Sequence, residues 1–460
     1  MSFLKPVAAL LALATLPAIA QAADDVASLR TELQAMKSDY DARVNALEAR
    51  IKQLETTNAA MADASAALAA SPPPPVDSAP PAPAPSGGGA NAFNPSISVI
   101  LGGTYTSASR DPQTWNIAGF TPGGDEIGPG SRSFSLGESE LTVAANVDPY
   151  FSAQLTASIT GENEISVEEA FVRSSALPDG FTAKLGRFFS GVGYLNEVHA
   201  HAWDFVDQPL AYQAMFGGQF TEDGAQVKWI APTDVFLEFG AEVGNGDSFP
   251  GNHRNRNGLN ANALFAHLGG DVGSDASWRA GASWLETHVD DRYGGEDVLL
   301  SGFTGDSRTM IADAVYKWAP SPRRQLKIQA EYLRREEHGT FTFDPFDTAL
   351  PTAYDNTQTG WYLQSVYQFA ARWRAGVRYD SLDSGNARFL PLDVSAVDFD
   401  PLARARHPDR ISAMLDWNPS EFSRLRLQYD LDDARDDGID DHVIRLQYLF
   451  GIGAHGAHKY

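Results

Sequence analysis

From His442 to Ile452 apolar and polar side chains alternate residue by residue. Ile444, Leu446, Tyr448, Phe450 and Ile452 share one face, and Arg445 and Gln447 share the other. Successive side chains of a β-strand point to opposite faces, so the run reads as a strand with one apolar and one polar side. The pattern recurs through the last three quarters of the chain, behind a secretory signal. This combination points to an all-β chain, a transmembrane antiparallel β-barrel of about 16 strands preceded by a short α-helical coiled coil. Its strands would face lipid outside and a wet lumen inside.

Residues 1–22 read as a signal peptide. Lys5 supplies the positive start, Val7 to Ile19 a short apolar core, and Ala20-Gln21-Ala22 a small-x-small cleavage site. No other apolar run reaches the ~18 residues that a membrane helix needs. The expected location is the bacterial outer membrane. The chain has 0 Cys, which excludes disulfides, a Cys nucleophile, thiolate metal sites and a lipid-anchored Cys. A net charge of -24 makes nucleic acid an improbable partner.

Residues 23–60 are expected to form a periplasmic coiled coil. Val26, Leu29, Leu33, Met36 and Tyr40 step by three and four, as do Val44, Leu47, Ile51 and Leu54. The join at Tyr40–Val44 adds a stutter without breaking the helix. An oligomer is the expected use of such a seam; the alternative is a helix packed on its own barrel. Residues 61–94 are an Ala/Pro/Gly-rich linker, with the stiff SPPPP run followed by a flexible Gly triplet.

The barrel is expected over 95–460, with strands from 95–106 to 441–452; 181–189, 308–319, 324–338 and 356–370 are among them. Short turns such as Asp148-Pro149 and Asn418-Pro-Ser-Glu421 alternate with mostly longer connections. Barrels show that asymmetry, with short periplasmic turns and long external loops. Aromatics mark strand ends at Trp229, Phe236, Trp278, Trp284, Trp318, Trp361, Trp373 and Trp417, as interfacial girdles would. A soluble sandwich has no need of outward aromatic bands.

This order of signal, coiled coil, Pro-rich linker and barrel resembles the phosphate-selective porin family and its porin-like relatives, in a less-characterised branch. The resemblance also rests on Leu185-Gly-Arg-Phe-Phe189, similar to the stretch leading into that family's constriction loop. Further support comes from Phe134-Ser-Leu-Gly-Glu-Ser-Glu-Leu141, His199-Ala-His-Ala-Trp-Asp-Phe-Val-Asp207 and Gly453-Ala-His-Gly-Ala-His458. It implies a passive, homotrimeric channel of 16 strands, folded by the barrel-assembly machinery through the C-terminal strand. Partners would be outer-membrane lipid and lipopolysaccharide, with no cofactor and no enzyme activity.

The connection 190–219 occupies the place of a loop that folds into the lumen and narrows it. Its candidate constriction residues are Glu197, His199, His201, Asp204 and Asp207, with no Lys or Arg. Arg374, Arg378, Arg424, Arg426 and Arg445 lie on the polar faces of their strands and are the candidate basic wall. An acidic loop facing a basic wall would set up a transverse field, or each Arg would pair with a neighbour such as Asp380 or Asp430. The phosphate-selective branch is rich in basic groups here. The acidic loop favours instead a general or cation-leaning pore for small hydrophilic solutes or ions.

His199 and His201 are candidate metal ligands, which Asp204 or Glu197 could complete; His455 and His458 form a second pair. A zinc-type uptake or binding barrel and a non-conducting tether or adhesin are the alternatives to a channel. A driven receptor would need a plug domain before the barrel. No G-x-S-x-G supports an enzyme.

Overall fold

The computed structural model describes Lys52 and residues 95–453. Positions 122, 124–126, 138, 160, 162–163, 254–255, 295–300, 344–345, 347–348, 391–401 and 403 lie outside the described residues. The expected signal peptide, coiled coil and linker, and the pair His455 and His458, also lie outside them. The chain divides into two units, Met1–Gly87 and Gly88–Tyr460, and the second holds the barrel.

Eighteen strands form one antiparallel sheet. They begin with β1 (Ser96–Ala108), β2 (Ser133–Leu136), β3 (Ser139–Asn146), β4 (Phe151–Ile159), β5 (Ile165–Ser174) and β6 (Phe181–Phe189). Next come β7 (Thr221–Ile230), β8 (Phe236–Gly244), β9 (Ala261–Val272), β10 (Ala276–Gly294), β11 (Ser301–Ser321) and β12 (Arg324–Phe343). The last are β13 (Leu350–Ala370), β14 (Trp373–Asp383), β15 (Arg388–Leu390), β16 (Asp409–Ser420), β17 (Ser423–Asp432) and β18 (Asp441–Gly453). The sheet closes where β1 pairs with β18, with Ser98 opposite Gly453 and Ala108 opposite Val443. β2 and β3 both pair with β1 and together make one stave. β14 pairs directly with β16, so the short β15, which adds only to the far end of β13, is not a stave. The closed barrel therefore has 16 staves.

Closure leaves no sheet edge with unpaired N–H and C=O groups, which is what a sheet needs in order to sit in lipid. Side chains then alternate outward and inward. On β18, Ile444, Leu446, Tyr448, Phe450 and Ile452 are exposed on the outside while Val443 and Arg445 are buried inside. On β4, Phe151, Leu155 and Ile159 face out and Thr156 and Ser158 in. The outward belt is apolar around the barrel, as a lipid-facing surface must be. Trp373 stacks beside Trp417 at the short-turn end of neighbouring staves, their centroids 6.2 Å apart.

Four staves run further than the sequence periodicity indicates, β10 among them, which was expected over 276–288. β10, β11, β12 and β13 have 19, 21, 20 and 21 residues, and their extra length lies at the long-loop end. There the outward face turns polar, with ion pairs His288–Asp306, Arg308–Glu286 and His338–Asp355. Polar residues on both faces erase the alternation from which the strand ends were read.

The lumen differs from a simple water-filled interior. An apolar core sits inside the barrel at mid-height, formed by the connection between β6 and β7. Val192, Leu195, Leu210, Tyr212, Met215, Phe216 and Phe220 pack on Leu285, Ile311, Leu333, Tyr362 and Leu382 of the wall. Ile117 and Phe120, from the connection between β1 and β2, join the same core. The ring of Phe265 lies between Gly240 on the neighbouring stave and Gly191 at the start of the inward connection. A Cβ at Gly240 would fall 2.0 Å from that ring, and one at Gly191 2.5 Å. Gly240→Val is therefore expected to destabilise the barrel by roughly 1–3 kcal/mol through overpacking. The temperature at which the compact form is lost in gel electrophoresis measures it; no change would show that the ring has room to move.

Candidate functional site

The connection 190–220 crosses the lumen and is tied to the wall on most sides. Near its start is Gly193, whose φ of 69° lets the chain turn tightly against Glu331 on β12. Glu331 accepts hydrogen bonds from Tyr194 N (3.0 Å), Leu195 N (3.0 Å), the Tyr212 hydroxyl (2.9 Å) and the Tyr362 hydroxyl (2.5 Å). A turn at Ala200–Ala202 follows, and then a short helix, α1 (Leu210–Phe216), all of whose residues are buried. Gly217, at φ 64°, ends α1 in the left-handed conformation that glycine adopts without strain.

Each of the five candidate loop residues meets the wall, but in four separate places. Glu197 accepts from Lys228 Nζ of β7 at 2.9 and 3.1 Å. Asp204 pairs with Lys327 of β12 and Arg374 of β14, both at 2.9 Å. Asp207 takes three guanidinium groups: Arg378 at 2.9 Å, Arg410 at 2.9 Å and Arg445 at 3.2 Å. His199 and His201 lie apart from these, against β3 and β5. The two rings stack 5.8 Å apart, one face as an extended segment would give, although the backbone between them is a turn.

Arg374, Arg378, Arg424, Arg426 and Arg445 all turn into the barrel, and each has a partner. Arg378 bonds Asp380 and Arg445 bonds Asp430, at 2.9 and 2.5 Å. Asp416 receives both Arg374 and Arg426, while Arg424 and Arg426 also donate to the Trp203 carbonyl. Arg378, Arg410 and Arg426 are at most 2% exposed, so water does not reach this part of the wall. Buried charges persist only when paired and hydrogen-bonded, and each carboxylate here is shared by at least two donors. Basic and acidic groups are nearly matched, so no free basic cluster of the phosphate-binding kind is formed among the described residues.

Sequence reasoning passed over several members of this network. Arg410, Lys327 and Glu331 sit in ordinary strand alternation, where nothing distinguishes a lumen residue that holds a loop. The second inward segment had a signal: Trp115, Ile117 and Phe120 give an apolar run inside a connection. It is fixed by Ala118 N to the Ala434 carbonyl (2.8 Å), Gly128 N to Gln213 Oε1 (2.9 Å) and Trp115 Nε1 to Asp432 (3.3 Å). The connection between β17 and β18, rich in Asp, reaches the same connection, with Arg110 bonding Asp437 at 2.6 Å. That bond holds the Asp437 carboxyl below the usual carboxylate range.

No family model matches the chain. Among solved structures, its fold is similar to a loop-deletion mutant of OmpT, an outer membrane protein of Vibrio cholerae. The TM-score is 0.50 at 10% identity, over 78% of this chain and 100% of that one. At that identity the likeness extends to the fold alone. In sequence, 394 residues align at 32% identity with an uncharacterized protein of Aquifex aeolicus (strain VF5), covering 80% of each. The chain, whose own fold is a 16-stave barrel, belongs to the same family as this Aquifex aeolicus protein.

Proposed function

We propose that the chain is a porin-like outer-membrane channel, trimeric, whose passage is constricted by the two connections folded into the lumen. The carrying observation is the combination of a lipid-suited exterior with a polar lumen wall bound to the inward connection by Asp204, Asp207 and Glu331. A connection held by buried ion pairs on opposite walls is a constriction element. Because Arg378, Arg410 and Arg426 are out of contact with water, the passage is narrower than that of a general diffusion pore. Its substrates are accordingly small ions and solutes. The near balance of Arg and Asp in the constriction speaks against phosphate selectivity and for weak charge preference.

Planar-bilayer recording of the purified mature protein tests this. Expected are small unitary steps grouped in threes, with a reversal potential near zero or mildly cation-selective. A folded, heat-modifiable barrel that gives no steps would refute the channel and leave a tether or adhesin as the function.

A further inference from the structure

We propose that His199, Glu140 and Glu168 form a binding site for a divalent transition-metal ion of the zinc class, placed where the inward connection meets β3 and β5. His199 Nδ1 lies 3.1 Å from Glu168 Oε2 and 3.6 Å from Glu140 Oε2, and the three ligand atoms all fall within 4.8 Å of one another. A tetrahedral ion with bonds of ~2.1 Å separates its ligand atoms by about 3.4 Å. The two measured separations bracket that value, so the trio needs little movement to close on an ion.

Three further observations distinguish this trio from a chance meeting of acidic groups. First, Glu140 is 3% exposed, and its Oε2, aimed at His199, has no hydrogen-bond partner. A buried carboxylate oxygen left in that state is destabilising unless something positive completes it. Second, the outer partners have the form that orients metal ligands. His199 Nε2 meets Glu169 Oε2 at 3.1 Å, and Gln154 Nε2 donates to the same oxygen at 3.0 Å. Nδ1 itself bonds Glu168 Oε2, and a carboxylate on the far ring nitrogen fixes the tautomer in which an ion takes the place of that hydrogen. The other oxygen of Glu140 is bonded to His201 Nδ1 at 2.7 Å, which makes His201 a positioning residue.

Third, the backbone is shaped to deliver these carboxylates. Opposite β4, Thr156 pairs with Glu169 and Ala157 with Val167, so Glu168 is an extra residue in a β-bulge. In a regular strand, Glu168 and Glu169 would point to opposite sides, one of them into lipid. The bulge turns both inward, and bulges are a known means of re-aiming side chains at functional sites. His201 also borders a cavity of about 40 Å³ beside the β16–β17 turn. Imidazole with carboxylates suits zinc, manganese or iron, and is unlike the all-oxygen shells of calcium and magnesium.

The test is calorimetric titration of ZnCl2 into the full mature chain, folded in detergent micelles and stripped with a chelator. It reads binding without a membrane, so its result is separable from that of the conductance experiment. Expected is one Zn²⁺ per chain, not displaced by excess Mg²⁺. His199→Ala and Glu168→Gln should each abolish or strongly weaken it, and Glu169→Gln should weaken it by ~10–100-fold as an orienting partner. Zinc-edge X-ray absorption of the wild-type complex covers the case in which a variant fails to fold: an imidazole in the coordination shell supports the site. Absence of saturable binding to the folded wild type, or an oxygen-only shell, would overturn the proposal. So would unchanged affinity in all three variants, which would move the ion to surface pairs such as His338–Asp355.

Discussion

Replacing Asp207 with alanine is expected to free the middle of the inward connection and raise the single-channel conductance several-fold. Asp207 holds three arginines from three different staves, Arg378, Arg410 and Arg445, and also accepts from Gln428 at 2.9 Å. Removing one partner of a buried ion pair destabilises by roughly 3–5 kcal/mol, because the remaining charge stays desolvated. Here the loss is tempered, since Arg378 and Arg445 keep Asp380 and Asp430. Arg410 keeps the Gln208 carbonyl at 2.8 Å and longer contacts of 3.6 Å to Asp380 and 3.9 Å to Asp432. The arginines therefore stay on the wall, and the connection, left with their bonds to the Asp207 and Gln208 carbonyls, loosens. Asp207→Asn retains the shape but removes the charge, and a conductance between wild type and Asp207→Ala would identify charge as the larger part. Wild-type conductance in both variants would show that the apolar core alone holds the connection in place.

Glu331→Ala should have a comparable effect at the beginning of the same connection, seen in stability. Glu331 is 2% exposed and collects four donors, two from the backbone at Tyr194 and Leu195 and two tyrosine hydroxyls. Each buried donor left unpaired costs about 1–3 kcal/mol, so the sum is larger than for a typical core truncation. Water entering the vacated space would recover part of it. Glu331→Gln separates the effects, because its amide nitrogen cannot accept from donors that approach that position. The expected order of thermal stability is wild type, then Gln, then Ala, read from loss of the compact form on gels. Equal values for all three would mean that Glu331 is not an anchor.

How much of this was legible beforehand follows from what each residue's neighbours do. The short staves and turns could be read closely: 181–189 coincides with β6, and 441–452 falls one residue short of β18. There lipid on one side and a polar lumen on the other force strict alternation. The upper parts of β10 to β13 were not legible, because beyond the lipid neither face need be apolar. Among the site residues, Arg374, Arg378 and Arg426 could be assigned to the lumen by period alone. Their partners on the connection could not, since a loop has no period. Glu168 and Glu169 left a trace, two adjacent carboxylates that interrupt the alternation of β5, but the trace does not say that a histidine lies opposite.

Sequence by itself determined the barrel: alternation decides which face meets lipid, and turn residues decide where one stave ends and the next begins. These are properties of neighbours along one strand, where the backbone geometry is known in advance. Only the tertiary structure decided that the lumen is filled at mid-height, that the arginines are paired with Asp204, Asp207 and Asp416, and that His199 meets Glu140 and Glu168. Those contacts join residues up to 238 positions apart, as in Asp207 with Arg445. Their formation depends on how far each stave is staggered and where one irregular connection lands, and neither has a local signature.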